Sequence, residues 1–182
     1  MSKSIYFGGS RHLGTSVLVA QVTKAVLAQG FRVHVGCQFG ADLHVSASVC
    51  AISPASLSVF AVASSLQTAP AHVGIASQFG ASVTLSAGGT SAPIPARYLL
   101  RSIAAFQGCA AAVFFQPGHG SLAVAREAIR AGLPVYAFNP TAARYPVAPF
   151  AIPSTSGSWV RSLFLGRFLC WRWSAPAQLS LF

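Results

Sequence analysis

Between Ser4 and Phe138 the chain alternates six short apolar runs of strand length with five segments long enough to be helices. The runs are "SIYFGG", "FRVHVG", "LSVFAVA", "SVTLSA", "AAAVFF" and "LPVYAF". Runs such as "LSVFAVA" and "AAAVFF" are dominated by the apolar residues that suit strands buried on both faces. The segments between them, Thr15–Gly30, Ala41–Ala51, Ala71–Phe79, Arg97–Gly108 and Gly120–Gly132, carry apolar residues at helical spacing. Thr15 or Ser16 is placed to cap the first helix, and Gly30 and Gly132 to stop theirs. Strand, helix, strand with right-handed crossovers predicts an α/β fold: an open, mostly parallel sheet with helices on both faces. The 182 residues are enough for one core. Ser, Gly, Pro or Arg interrupts every apolar stretch before it could span a bilayer, so a membrane-spanning helix is disfavoured. "MSKSIYFGGSR" leads directly into the first strand and does not read as a secretory signal.

After Asn139-Pro140 the pattern changes, which divides the chain into 1–140, 141–173 and 174–182. Pro140, Pro146, Pro149 and Pro153 mark an irregular surface wrap. "WVRSLFLGRFLCWRW" (Trp159–Trp173) is expected to be a helix interrupted at Gly166. Three readings fit its composition. It packs its aromatics on the domain with arginine stems reaching outward, it lies on an anionic membrane surface, or it stacks unpaired bases.

Charge narrows the partners. Twelve Lys and Arg face only Asp42 and Glu127, a formal charge of +10. Such a field attracts polyanions, either nucleic acid or nucleotide phosphate. All the cations except Lys3 and Lys24 are arginine, whose fork suits bidentate phosphate contacts. Cys37, Cys50, Cys109 and Cys170 lie far apart, without the spacing of a zinc site or a disulfide framework. They read as small buried hydrophobes in a reducing compartment, which points to the cytoplasm.

In a parallel sheet, ligands sit where strands turn into helices. "FGGSRHLG" (Phe7–Gly14) supplies Gly8 and Gly9 for close backbone approach, Ser10 as a hydroxyl and Arg11 as a cation. "VGCQFGAD" (Val35–Asp42) supplies Gly36, Gly40 and the helix-starting Asp42. "FFQPGHGSLA" (Phe114–Ala123) supplies Gly118, Gly120 and Ser121 at a helix start, where free N–H groups and the helix dipole favour anions. No Walker lysine follows, and the G-x-G-x-x-G spacing is absent. Arg97 and Arg101 lie i,i+4 on one predicted helix and are expected to face phosphate together. His12, His44 and His119 have no metal-ligand spacing and read as polar loop residues. No metal or catalytic residue is assigned. The expected ligand is phosphate, and a nucleotide is the alternative occupant.

The order of these turns resembles the DNA-processing protein A (DprA/Smf) family, part of the SLOG superfamily of Rossmann-like domains. "GGSRHLG" followed by "GCQFGAD" is similar to the family's Gly-Ser-Arg turn and its Gly-x-x-x-Gly-hydrophobic-Asp stretch. "IPARYLLRSIAAFQG" through "LPVYAF" is similar to its segment beginning Phe-Pro-x-Arg-Asn. Arg97 falls on that arginine, and Tyr98 replaces the asparagine. The resemblance covers about Ile5 to Asn139. It implies a Rossmann-like domain holding single-stranded DNA or a nucleotide-like ligand at the carboxyl edge of the sheet. A recombinase partner and self-association follow from the family only as open expectations, since its winged-helix domain has no counterpart here. "PGHGS" also echoes the phosphate turn of LOG-type phosphoribohydrolases. Their catalytic glutamate would fall near Val124 and Ala125, which cannot carry proton transfer. The reading therefore leans away from an enzyme.

The chain closes on Gln178, Leu179, Ser180, Leu181 and Phe182. This pentapeptide resembles the Gln-Leu-Ser/Asp-Leu-Phe motif by which bacterial replication, repair and recombination proteins dock on the DNA sliding clamp. Leu179 and the Leu181–Phe182 pair would fill apolar pockets, and Gln178 would hydrogen-bond at their rim. Ser174–Ala177 is a small-residue spacer of the kind tethering requires. The expected partners are thus a sliding clamp and single-stranded DNA.

Overall fold

Ser4–Gly9 (β1) lies in the interior of an eight-stranded sheet and pairs in parallel with Arg32–Val35 (β2) on one side and Cys109–Phe115 (β5) on the other. The computed structural model describes residues 3–86, 92–139, 148–152 and 154–175. Outward from β2 come Leu57–Ala61 (β3) and Ser82–Leu85 (β4). Outward from β5 come Val135–Phe138 (β6) and then, antiparallel, Phe168–Ser174 (β8) and Ser158–Phe164 (β7). The order is β4-β3-β2-β1-β5-β6-β8-β7. The chain builds one side of β1, crosses back, and builds the other.

The helices are Val17–Ala28 (α1), Ala41–Cys50 (α2), Ala71–Gln78 (α3), Ile94–Phe106 (α4) and His119–Arg130 (α5). The two faces of the sheet follow from the two-residue period of a strand. Ile5 and Phe7, with Val33, Val35 and Val59, pack against Val22, Val26, Val45, Val49 and Val73 of α1–α3. Tyr6, Ala112 and Phe114 point the other way, onto Phe106 of α4 and Leu122 and Ala125 of α5. Each fully buried Val, Leu or Phe contributes about 1.5–3 kcal/mol before the entropy of ordering is counted. This is the α/β sheet covered on both faces that the alternation predicts.

Two elements differ from expectation. Helix α4 begins at Ile94, three residues before Arg97, behind Pro93 and through Pro95. Proline is tolerated there because first-turn N–H groups have no intrahelical acceptor. The second difference is larger. Trp159–Trp173 is not an interrupted helix but the β7–β8 hairpin, and Gly166 (φ 71°) sits in its turn. The pattern that decides is period two. Phe164 and Cys170 enter the α1–α3 core, while Trp173 enters the α4–α5 core and meets Trp159 edge-to-face at 5.3 Å. Aromatic and β-branched residues favour such a pleated surface. The segment extends the main sheet instead of lying apart from it.

All four cysteines are free thiols. Burial pushes the Cys109 thiol up to about 12 and that of Cys170 to about 11, so both stay protonated at neutral pH. Among the described residues no helix is long and apolar enough to cross a membrane. The pentapeptide Gln178–Phe182 lies outside the described residues.

Candidate functional site

Strand order reverses between β1 and β5, so the loops leaving these strands diverge and open a crevice. Its volume is about 770 Å³. One wall is the turn after β1, the second is the start of α5, and α4 closes the side.

The first turn is fixed by its own backbone. The Ser10 N–H donates to the Phe115 carbonyl at 3.0 Å, tying the exits of β1 and β5 together. The Ser10 carbonyl accepts from the N–H of Ala41 at 3.0 Å, which joins this turn to the second. The Ser10 hydroxyl accepts from the His12 N–H at 3.1 Å. Arg11 and His12 are thereby left exposed at the rim, with Arg11 Nε donating to His12 Nε2 at 3.3 Å. The Ser121 hydroxyl donates to the Gly9 carbonyl at 2.8 Å. It braces the α5 start against the first turn and so is already engaged.

The second turn is a supporting wall. Gly40 (φ 72°) lies where a Cβ would strike the Ser10 carbonyl and the Arg11 backbone. The space beside Gly36 is filled by the Arg101 guanidinium. Neither glycine lines the crevice; Gly8, Gly9, Gly118 and Gly120 do. The α5 amides at His119, Gly120 and Ser121 occupy the first helical turn, where N–H groups have no intrahelical acceptor.

Beneath this wall, Asp42 Oδ2 accepts from the Gln38 N–H at 3.0 Å and lies 3.6 Å from Arg101 Nη1. The two side chains are 7% and 4% exposed. Burial pushes the Asp42 carboxyl above its usual range, against the pull of Arg101 and the Gln38 N–H. Burial also works against the Arg101 charge, but the Asp42 carboxylate chiefly outweighs it, and the guanidinium stays protonated. Arg101 Nε and Nη1 have no hydrogen-bond partner. The expectation that Arg97 and Arg101 share one phosphate-facing surface is therefore corrected. Arg101 forms part of the crevice floor and is ion-paired, while Arg97 is half-buried one turn away and does not line the crevice.

Several lining residues were not singled out from the sequence. Tyr98, Leu99, Ile94 and Phe114 supply apolar and aromatic surface, and Tyr6 and Ser102 a polar floor. Burial pushes the Tyr6 hydroxyl up to about 12 despite the nearby Arg101, so it remains neutral. Of the residues just named, only Ile94 owes its place to the earlier start of α4; Tyr98 and Leu99 lie within the segment expected to be helix. His12 and His119 line the rim, and His119 lies nearly parallel (8°) to Phe150 at 6.3 Å. Val124 lines the crevice as an apolar side chain. Glu127, the remaining acid, is engaged by Arg126 and Arg130 at 3.0 Å each. The site thus offers backbone N–H groups, a rim cation and an aromatic wall. It can hold an anionic group beside a flat apolar one.

Fold and crevice together define a doubly wound α/β protein with a crevice at its topological switch point. No protein-family model matches the chain, and no curated protein matches its sequence. Among solved structures, the fold is similar to DNA processing protein A from Helicobacter pylori, described for its single-stranded DNA binding mode. There the TM-score is 0.56 at 15% identity, over 75% of this chain and 65% of that one. It is also similar to DNA processing protein A (DprA) from Streptococcus pneumoniae, with a TM-score of 0.58 at 16% identity over 84% of this chain. The chain spans 65% and 52% of the lengths of these two proteins. The fold is DprA-like.

Proposed function

We propose that this protein binds single-stranded DNA through the switch-point crevice and acts in DNA processing. A phosphate would meet the α5 N-terminal amides and Arg11, and a base would lie against Tyr98 and Leu99. The observation that carries this reading is the convergence of two glycine-rich strand exits, an exposed arginine and an aromatic wall in one crevice of a chain with formal charge +10. The likeness in fold to a protein described for single-stranded DNA binding supports it. Arg101, held by Asp42, would position the second turn instead of reaching the solvent phosphate path.

Binding of an oligonucleotide is expected to weaken steeply with salt, because each neutralised phosphate releases counterions. Arg11→Ala should reduce the slope of log K against log salt by about one. Fluorescence anisotropy across a salt series measures it, and a slope unchanged by the substitution would remove Arg11 from the site.

The same proposal includes docking on a bacterial DNA sliding clamp through Gln178–Phe182, supported by the match of that pentapeptide to the clamp-binding pattern. Only a few side chains anchor such a peptide, so the affinity is expected to be on the order of micromolar. Deleting Gln178–Phe182 should abolish capture on immobilised clamp and leave oligonucleotide affinity intact. Capture that survives the deletion would overturn the docking role.

A further inference from the structure

The β7–β8 hairpin carries Arg161, Arg167 and Arg172 and no acid. Each guanidinium lies over an aromatic ring: Arg161 over Trp171 at 5.8 Å, Arg167 over Phe168 at 4.9 Å and Arg172 over Tyr136 at 6.0 Å. On the face shared with α4 and α5, the register aligns Trp159 with Trp173, Arg161 with Trp171 and Leu163 with Leu169. Trp173 anchors one end of this row in the core, while Leu163 and Leu169 at the other end are 54% and 52% exposed. The pairing of Ala137 with Trp171 carries the hairpin turn and Arg167 past the end of β6, toward the edge where the crevice opens.

Phe150 joins this row to the crevice. Its ring is 72% exposed and nearly parallel to that of His119 on the rim, and its carbonyl accepts from Trp159 Nε1 at 3.0 Å. We infer that the hairpin and Phe150 form a second contact surface for the same single strand, receiving the unpaired bases that lie beyond the phosphate held in the crevice. This rests on the crevice reading above. Base faces stack on aromatic and guanidinium planes whatever the sequence, and Arg161 and Arg167 meet the backbone, while Arg172 lies over Tyr136 on the opposite face. At about 4.8 Å per strand, β8 and β7 stand about 10–15 Å from β5. About three or four stacked nucleotides bridge that distance. A membrane surface is the weaker occupant, because the arginines cover the rings and the exposed aromatic is stacked at the crevice rim.

The test compares the full chain with R161S/R167S and with F150A, substitutions of exposed side chains, in anisotropy titrations. Oligothymidylates of about three nucleotides, too short to reach the hairpin, and of about twenty separate crevice-only from extended binding. The expected result is affinity for the long strand about tenfold weaker in both variants, with short-strand affinity and thermal midpoint unchanged. Variants that bind both lengths like the parent would overturn the inference. So would variants that lose only capture by phosphatidylglycerol vesicles, which would make the surface membrane-facing. A change only in mass by light scattering would equally overturn it and make the surface an interface between copies. If the parent fails to bind the short strand while long-strand binding still depends on the hairpin, the crevice reading falls, and the hairpin's role as a second contact beyond the crevice is overturned with it, leaving the hairpin as a strand-binding surface of its own. If neither length binds, both fall.

Discussion

Asp42→Ala is expected to lower the unfolding free energy by about 3–5 kcal/mol, the usual consequence of leaving one member of a buried ion pair uncompensated. Three things are lost together: the charge opposite Arg101, the acceptor for the Gln38 N–H, and the anchor of the turn that carries Gly40. The double variant Asp42→Leu with Arg101→Met should recover most of the loss, since replacing a buried pair by apolar side chains of similar volume is often neutral. Urea titrations of the single and double variants form a cycle whose coupling reports the pair itself. A single variant within about 1 kcal/mol of the parent would mean that the pair does not brace the second turn.

Gly40→Ala and Gly120→Ala should separate scaffold from binding surface. A Cβ at Gly40 meets the Ser10 carbonyl and Arg11 backbone, in a left-handed conformation that side chains avoid. The expected cost is about 2 kcal/mol or more. Displacing the first turn should also weaken oligonucleotide binding at least about tenfold, by misplacing Arg11 and the adjoining amides. Gly120 has no atom within 4 Å of the position its Cβ would take, and it lines the crevice. Gly120→Ala should therefore leave the thermal midpoint within about 2 °C of the parent. Its effect should fall on oligonucleotide affinity. Equal stability losses in the two variants would contradict this division.

Much of the frame was legible because its cues are local. Glycines after apolar runs marked the strand exits, and the near-continuous apolarity of runs such as Leu57–Ala61 marked strands covered twice. The hairpin was not legible in the same way. Arginine and aromatic residues are interspersed there as they also are in a cationic amphipathic helix, which masks the period-two pattern that pairing with β6 makes plain. Arg101 was misplaced for a related reason. Helical spacing reports which residues share a face, but not that Gly36, an α2 carboxylate and β1 would enclose this one. Sequence order put Gly36 and Gly40 among the phosphate contacts. The structure makes them the packing that allows Ser10 and Arg11 to stand where they do. In the apolar wall, Tyr98 and Leu99 fall within the segment expected to be helix, and only Ile94 lies before it, because α4 starts three residues earlier.

The Ser10–Phe115 and Ser121–Gly9 hydrogen bonds clip the mouth of the crevice to both central strands before anything arrives. Such a mouth has little shape to acquire on encounter, so its capture rate is set by diffusion and by the pull of the surrounding positive field. A strand would be gathered quickly in dilute electrolyte and slowly in concentrated electrolyte, with no separate slow closing step in the time course.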